Sequence, residues 1–219
     1  MPREKRIWYP GATYHVVSRG NRRSALFKDR SDYMIFLEYL RTVKERFPFK
    51  LHAICLMTNH FHIAIETQDE SLSRIMQRIL HLYASEFNNK YQYTGHLFEG
   101  RFTSRLIEDE RYFLEVSRYI HLNPVKAMMV KSPEDYEYGS YRVFMSDETN
   151  SKKDKAFTAI EELVDVSRTF GCFGDNRRDE YRAFVEGEIS HAEQEQLIQK
   201  DMKEDDMWMP LVPDPIRIA

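Results

Sequence analysis

The alternation of apolar and polar positions predicts seven elements in the first 123 residues. ATYHVVSR (12–19) is rich in β-branched and aromatic residues and predicts a strand. Ser31 opens a predicted helix running to about Arg46, with Phe36, Leu37, Leu40 and Val43 on one stripe. FKLHAICLM (49–57) and HFHIAIE (60–66) predict two strands, and Thr58-Asn59 between them predicts a hairpin. Leu72, Ile75, Met76, Ile79, Tyr83 and Phe87 recur at helical spacing and predict a second helix over about 71–88. GHLFEGRF is a glycine-punctuated loop, and FTSRLIE (102–108) predicts a fourth strand. A third helix is expected over about 109–123, ending there because the residue before Pro124 is pushed away from helical angles.

The order is β-α-β-β-α-β-α. Its first six elements match the ferredoxin-like arrangement, so the fold class is α+β. Two helices would cover one sheet face and leave the other for a ligand or a further helix. From about residue 132 the texture changes. KSPEDYEYGSY reads as an irregular link and NSKKDK (150–155) as a polar loop. Residues 159–171 and 178–187 read as short helices, and Ser190 with Glu193 as a capping box opening a third. The chain is therefore divided into a body, 1–131, and a mostly helical C-terminal extension, 132–219.

Charge sharpens that division. Residues 1–131 carry 21 Lys and Arg against 14 Asp and Glu, a net +7; residues 132–219 carry 11 against 21, a net −10. A basic body with an acidic extension is the asymmetry of a polyanion binder, and the opposite charges suggest an extension lying over the body's active face. No apolar run is long enough to span a membrane. The first residues have no apolar signal region, and two cysteines without a framework fit a reducing cytoplasm.

The candidate chemistry starts at His60 and His62. On a strand, residues i and i+2 share a face, roughly 6–7 Å apart. Two neutral imidazoles converging there suit a divalent metal, although the pair alone is unspecific. Glu66 shares the face but lies roughly 13 Å past His62, too far to share an ion. On the third helix Tyr119 and Asn123 are one turn apart on one face, and Tyr112 shares it. His121 points off another side. His52, His81 and His96 have no evident converging partner.

YHVVSRGNRR, LFKDRSDYMIFL, MTNHFHIAIE and GHLFEGRFTSRLIEDERYFLEVSRYIHLNPVKA, in that order, resemble the REP-associated tyrosine transposases. These belong to the single-tyrosine HUH transposases of bacterial insertion sequences. The resemblance covers about residues 8–145 and more loosely RTFGCFGDNRRDEYRAFVEG. It implies that His60 and His62 bind the metal, that Asn123 is the third ligand and that Tyr119 is the nucleophile. It further implies Mg²⁺ or Mn²⁺ as cofactor, single-stranded or hairpin DNA as partner, and a monomer or homodimer. The implied reaction is DNA cleavage and rejoining through a 5′-phosphotyrosine.

Cations near these elements are candidates for phosphate contacts: Arg19, Asn21, Arg22 and Arg23 after the first strand, Arg101 and Arg105 around the fourth, and Lys126 with Lys131 after the third helix. Tyr91, Tyr93, His96 and Phe98 are candidates for stacking on unpaired bases. Two other classes fit the same residues. One is a non-catalytic module binding hairpin DNA or RNA. The other is a metal-dependent nuclease that uses water.

Overall fold

A computed structural model describes residues 7–146 and 154–187. The polar loop at 150–155, apart from its last two residues, and the Ser190–Glu193 capping box lie outside these. The elements are β1 (Thr13–Arg19), α1 (Arg30–Arg46), β2 (Phe49–Met57), β3 (His60–Thr67), α2 (Leu72–Tyr91), β4 (Thr103–Ile107), α3 (Glu110–Lys126), α4 (Tyr141–Met145), α5 (Lys155–Leu163), α6 (Ser167–Gly171) and α7 (Arg177–Glu186). The four strands form one antiparallel sheet in the order β2-β3-β1-β4, the ferredoxin-like order that the sequence predicts.

Strand alternation builds two cores. One face carries Tyr14, Val16, Phe61, Ile63 and Ile65, which α1 and α2 cover with Phe36, Leu37, Leu40, Ile75, Ile79 and Tyr83. The opposite face carries the small Ala53, Cys55 and Ala64 beside Met57, and α3 lies on it with Phe113, Val116, Tyr119 and Ile120. Small side chains let a helix approach closely, and this places Tyr119 directly on the sheet. Of the two occupants expected for this face, a ligand or a further helix, the tyrosine helix takes at least part of it. β2 shifts register between Leu51 and Ala53, so His52 sits at an irregularity. There it stacks edge-on against Phe113 and bonds Glu66 Oε2 at 3.1 Å. His52 therefore has a converging partner, which alternation alone could not reveal.

Several boundaries differ from the pattern. Asp29, not Ser31, caps α1, because Asp29 and Asp32 exchange reciprocal side-chain bonds with each other's backbone N–H. α2 runs one turn longer, to Tyr91, and stops where Gln92 turns left-handed. α3 does not stop before Pro124 but continues to Lys126. Proline removes one helical donor, yet Ala127, Met128 and Met129 close the last turn onto Asn123, Val125 and Pro124. The segment expected as one helix over 159–171 is broken at Val164–Val166, where Asp165 N–H bonds the Leu51 carbonyl on β2. The segment read as an irregular link is also tied to β2: Leu56 N–H donates to Tyr138 and Ser140 N–H to the Ile54 carbonyl.

The described part of the extension packs on the body. Ile160 and Leu163 join the first core, and Lys44 Nζ donates to the Leu163 carbonyl. α7 docks on the side of α3 that carries Ser117 and His121, turned away from Tyr119. Tyr181 OH lies 2.6 Å from Ser117 Oγ and 2.9 Å from His121 Nδ1, and His121 Nε2 lies 2.8 Å from Ser140 Oγ. The expectation that the extension covers the Tyr119 face is not met by α5–α7, because Ser117 and His121, four apart, present the opposite side of the helix. Tyr181→Phe removes one hydroxyl from this buried chain and strands two polar partners. It is expected to lower unfolding free energy by about 1–3 kcal/mol, read from the urea midpoint.

Candidate active site on the α3 face of the sheet

β3 and β1 pair so that Arg19 faces His60 and Val17 faces His62. The two histidines project to the α3 side with ring centroids 5.0 Å apart. Tyr119 meets this group from above: its ring lies 5.4 Å from His62 and 5.7 Å from His15, edge-on in both cases. The sheet thus brings together His60, His62 and Tyr119, as the sequence suggests, and adds His15. Its Nε2 is 3.1 Å from His62 Nδ1. Strand alternation puts His15 on the right face, but its neighbour is set by the β1–β3 register, which the sequence did not supply.

Asn123 is buried one turn beyond Tyr119, and its amide nitrogen donates to the Tyr119 carbonyl at 2.8 Å. That bond leaves Oδ1 as the ligand-type atom. Lys126 Nζ lies 5.0 Å from the centre of the Tyr119 ring.

Burial dominates the electrostatics. His15 and His60 are each pushed down to about pKa 4, first by burial and then by Arg105 and Arg19 respectively. His62 is held well below the usual imidazole value by burial, then by His60, His15, Arg19 and Lys126. All three rings are therefore neutral at pH 7, the form that donates a lone pair to a metal. Arg19 sits across the strands from His60, Arg105 across from His15, and Lys126 lies over the Tyr119 ring, so three cations border the cluster and give it a positive field suited to phosphate.

The donor set fits a divalent cation in its chemistry. His62 Nε2 is buried without a hydrogen-bond partner. His60 Nδ1 engages Asn59 Oδ1 at 2.7 Å, which makes Nδ1 the protonated nitrogen and Nε2 the lone-pair one. Among the described residues no group of three or more His, Cys, Asp and Glu side chains is placed to hold a metal. The Asn123 oxygen is a ligand-type atom outside that set.

The other predicted contacts divide between two places. Arg19, Arg105 and Lys126 border the histidine–tyrosine cluster. Arg105 also lies over the Tyr112 ring at 5.2 Å, and Arg19 is 4.0 Å from Glu99. Arg22 and Arg23 are exposed on a short 3₁₀ turn with φ of 52° and 59°. The turn is tight because a Cβ on Gly20 would fall 2.1 Å from the Ser24 carbonyl oxygen, so only glycine fits there. Asn21 and Arg101 instead line a groove of about 890 Å³ between α2 and residues 95–102, with His81, His96 and Phe98. Tyr91 bonds Asp32, and Tyr93 is exposed. Lys131 is exposed after α3.

Among the described residues no helix is long and apolar enough to cross a membrane. A Haemophilus influenzae protein named as a REP-associated tyrosine transposase is 31% identical over 109 residues, 44% of this chain and 61% of that protein. The chain therefore matches less than two thirds of that relative's length. A solved structure of a REP-associated tyrosine transposase bound to a REP hairpin superposes with a TM-score of 0.59 at 20% identity, over 76% of this chain and 94% of the other. That likeness shows a shared fold. The family model for IS200-like transposases matches residues 9–123, from just before β1 to Asn123 on α3 and more than half of the chain, and this protein belongs to that family.

Proposed function

We propose that this protein is a metal-dependent DNA transesterase that cleaves and rejoins single-stranded DNA at hairpins through Tyr119. The observation that carries the reading is the meeting of a tyrosine with two neutral histidines, with ring separations of 5.0 Å between the histidines and 5.4 Å from His62 to Tyr119, bordered by Arg19, Arg105 and Lys126. The hairpin-bound solved relative and the REP-associated relative support the substrate class. Residues 1–131 are assigned as the catalytic body and 132–219 as an extension, whose described part packs on that body.

His60 Nε2, His62 Nε2 and Asn123 Oδ1 are the proposed ligands. Mn²⁺ or Mg²⁺ bound there supplies Lewis-acid polarisation of the scissile phosphate. The chain's own groups do the rest. Arg19, Arg105 and Lys126 hold the phosphate oxygens and lower the cost of the charge that builds on them. A phenol of ordinary pKa about 10 is mostly protonated at neutral pH, so its attack depends on this positive surrounding. The Tyr119 oxygen bonds to phosphorus, the P–O3′ bond breaks, and the phenolic proton is balanced by one taken up at the departing 3′ oxygen. The phosphoester is conserved as phosphotyrosine, so attack by another 3′-OH rejoins strands without a nucleotide cofactor. Because Tyr119 and His62 meet within one chain, this reading favours an active site built in cis.

The test is to incubate the protein with labelled hairpin DNA and Mn²⁺ and resolve the products under denaturing conditions. A protein–DNA band that chelator prevents is expected. Cleavage without any adduct, across a panel of hairpins, overturns the reading in favour of a nuclease, and binding without cleavage favours a binding module. Arg19→Ala, Arg105→Ala and Lys126→Ala are each expected to reduce the slope of log affinity against log salt by about 0.7, checked by titration between about 50 and 200 mM salt.

A further inference from the structure

We propose that His15 is a positioning residue: it accepts the Nδ1 proton of His62 and so holds that ring in the tautomer whose Nε2 lone pair faces outward for a cation. The inference rests on the metal centre proposed above. His15 and His62 are both buried, with Nε2 of the first 3.1 Å from Nδ1 of the second and rings inclined by 22°. His15 reaches His62 diagonally, since its direct partner across the strands is Ala64, whose small side chain leaves the room.

Exactly one proton occupies that contact when both rings are neutral. If His15 supplied it, His62 would carry its own proton on Nε2, which is buried and has no acceptor. A buried donor without an acceptor is strongly disfavoured. If His62 supplies it, Nε2 carries the lone pair that a metal satisfies. Asn59 does the same for His60, where Oδ1 accepts from Nδ1 at 2.7 Å. The two candidate ligands are thus each oriented by a neighbouring acceptor, one local and one across the sheet. His15 itself is not a third ligand. At 3.1 Å the two nitrogens share a proton, and two lone pairs aimed at each other have no place for an ion between them.

The test compares wild type, His15→Phe and His15→Gln. Phenylalanine keeps a ring and removes the acceptor; glutamine restores an acceptor near the position of Nε2. Long-range ¹⁵N–¹H correlation spectra of the metal-free proteins report which nitrogen of His62 is protonated, and electron paramagnetic resonance titration reports Mn²⁺ affinity. The expected result is Nδ1–H at His62 in wild type, loss of that single tautomer in His15→Phe with affinity down about 10- to 100-fold, and recovery of most of it in His15→Gln. Nε2–H at His62 in wild type overturns the inference. So does wild-type Mn²⁺ affinity in His15→Phe, or an equal loss in both variants. If wild type keeps the Nδ1–H form, His15→Phe loses it, and neither binds Mn²⁺, the hold of His15 on His62 stands and the proposed metal centre fails.

Discussion

Tyr119→Phe is expected to abolish the covalent protein–DNA band, with cleavage reduced by at least about 10³-fold, while hairpin binding and folding persist. The substitution removes one oxygen. The ring stays packed against His15 and His62, with Lys126 over its face, so little cause for unfolding is introduced. Phosphate affinity in this reading comes from Arg19, Arg105 and Lys126, which the change does not touch. The nucleophile, by contrast, cannot be replaced by its neighbours. The histidines are neutral, and His62 is engaged with His15 and His60 with Asn59. Loss of a nucleophile is among the largest single effects in catalysis. The measurement is a denaturing gel beside a binding titration on the same hairpin. Cleavage that survives in Tyr119→Phe would assign the chemistry to water and make Tyr119 a packing residue. An adduct that survives would place the nucleophile elsewhere, and Tyr112, which shares the helix face and whose hydroxyl is buried, would be examined next.

The part of this site that is legible in the sequence is the part set by one element at a time. His60 and His62 follow from the two-residue period of a strand, and Tyr119 with Asn123 from the helical period. The sheet topology follows from the order of elements. The residues that needed the structure are those placed by pairing between elements. His15 reaches His62 only through the β1–β3 register, and His52 finds Glu66 only through the irregularity in β2. Tyr181 meets His121 and Ser117 across sixty or more residues, a contact no local pattern encodes. Local rules also misplaced two ends. Proline at 124 predicts a stop, although a missing donor near a helix's C-terminus costs little once the following turn closes on itself. Ser31 predicts a cap two residues after the residue that serves, which is Asp29, matched by Asp32 three positions on. Both Ser and Asp satisfy the rule, and only the reciprocal bond decides between them.

Acidification from pH 6.5 to 4.5 is expected to lower the urea midpoint steeply in the metal-free protein. His15 and His60 are held down to about pKa 4 and His121 to about 3, in each case chiefly by burial; His62 is lowered as well. In the unfolded chain these groups return to about 6.5. Between the folded and unfolded values the unfolded state binds more protons, so stability rises with pH and is lost as pH falls. A histidine held at about 4 accounts for on the order of 3 kcal/mol across the whole window. Several together rival the 5–15 kcal/mol that stabilises an ordinary domain. The window separates this from carboxylate titration. Glu38, Glu110, Asp154 and Asp165 have lowered pKa values, so the stability they supply is lost only as pH falls below their unfolded values near 4. A midpoint that is flat from pH 6.5 to 4.5 and drops only below that would mean that the buried histidines accept protons in the folded state, and would sink the claim that burial keeps them neutral. Added Mn²⁺ supplies an internal check. In the proposed metal centre the folded protein keeps His60 and His62 unprotonated through this window, so the stabilisation that Mn²⁺ adds over the metal-free protein is expected to hold from pH 6.5 to 4.5 and to shrink only as pH falls through about 4. His121 lies in the Tyr181 network, outside that centre, and its contribution is expected to be unmoved by the metal.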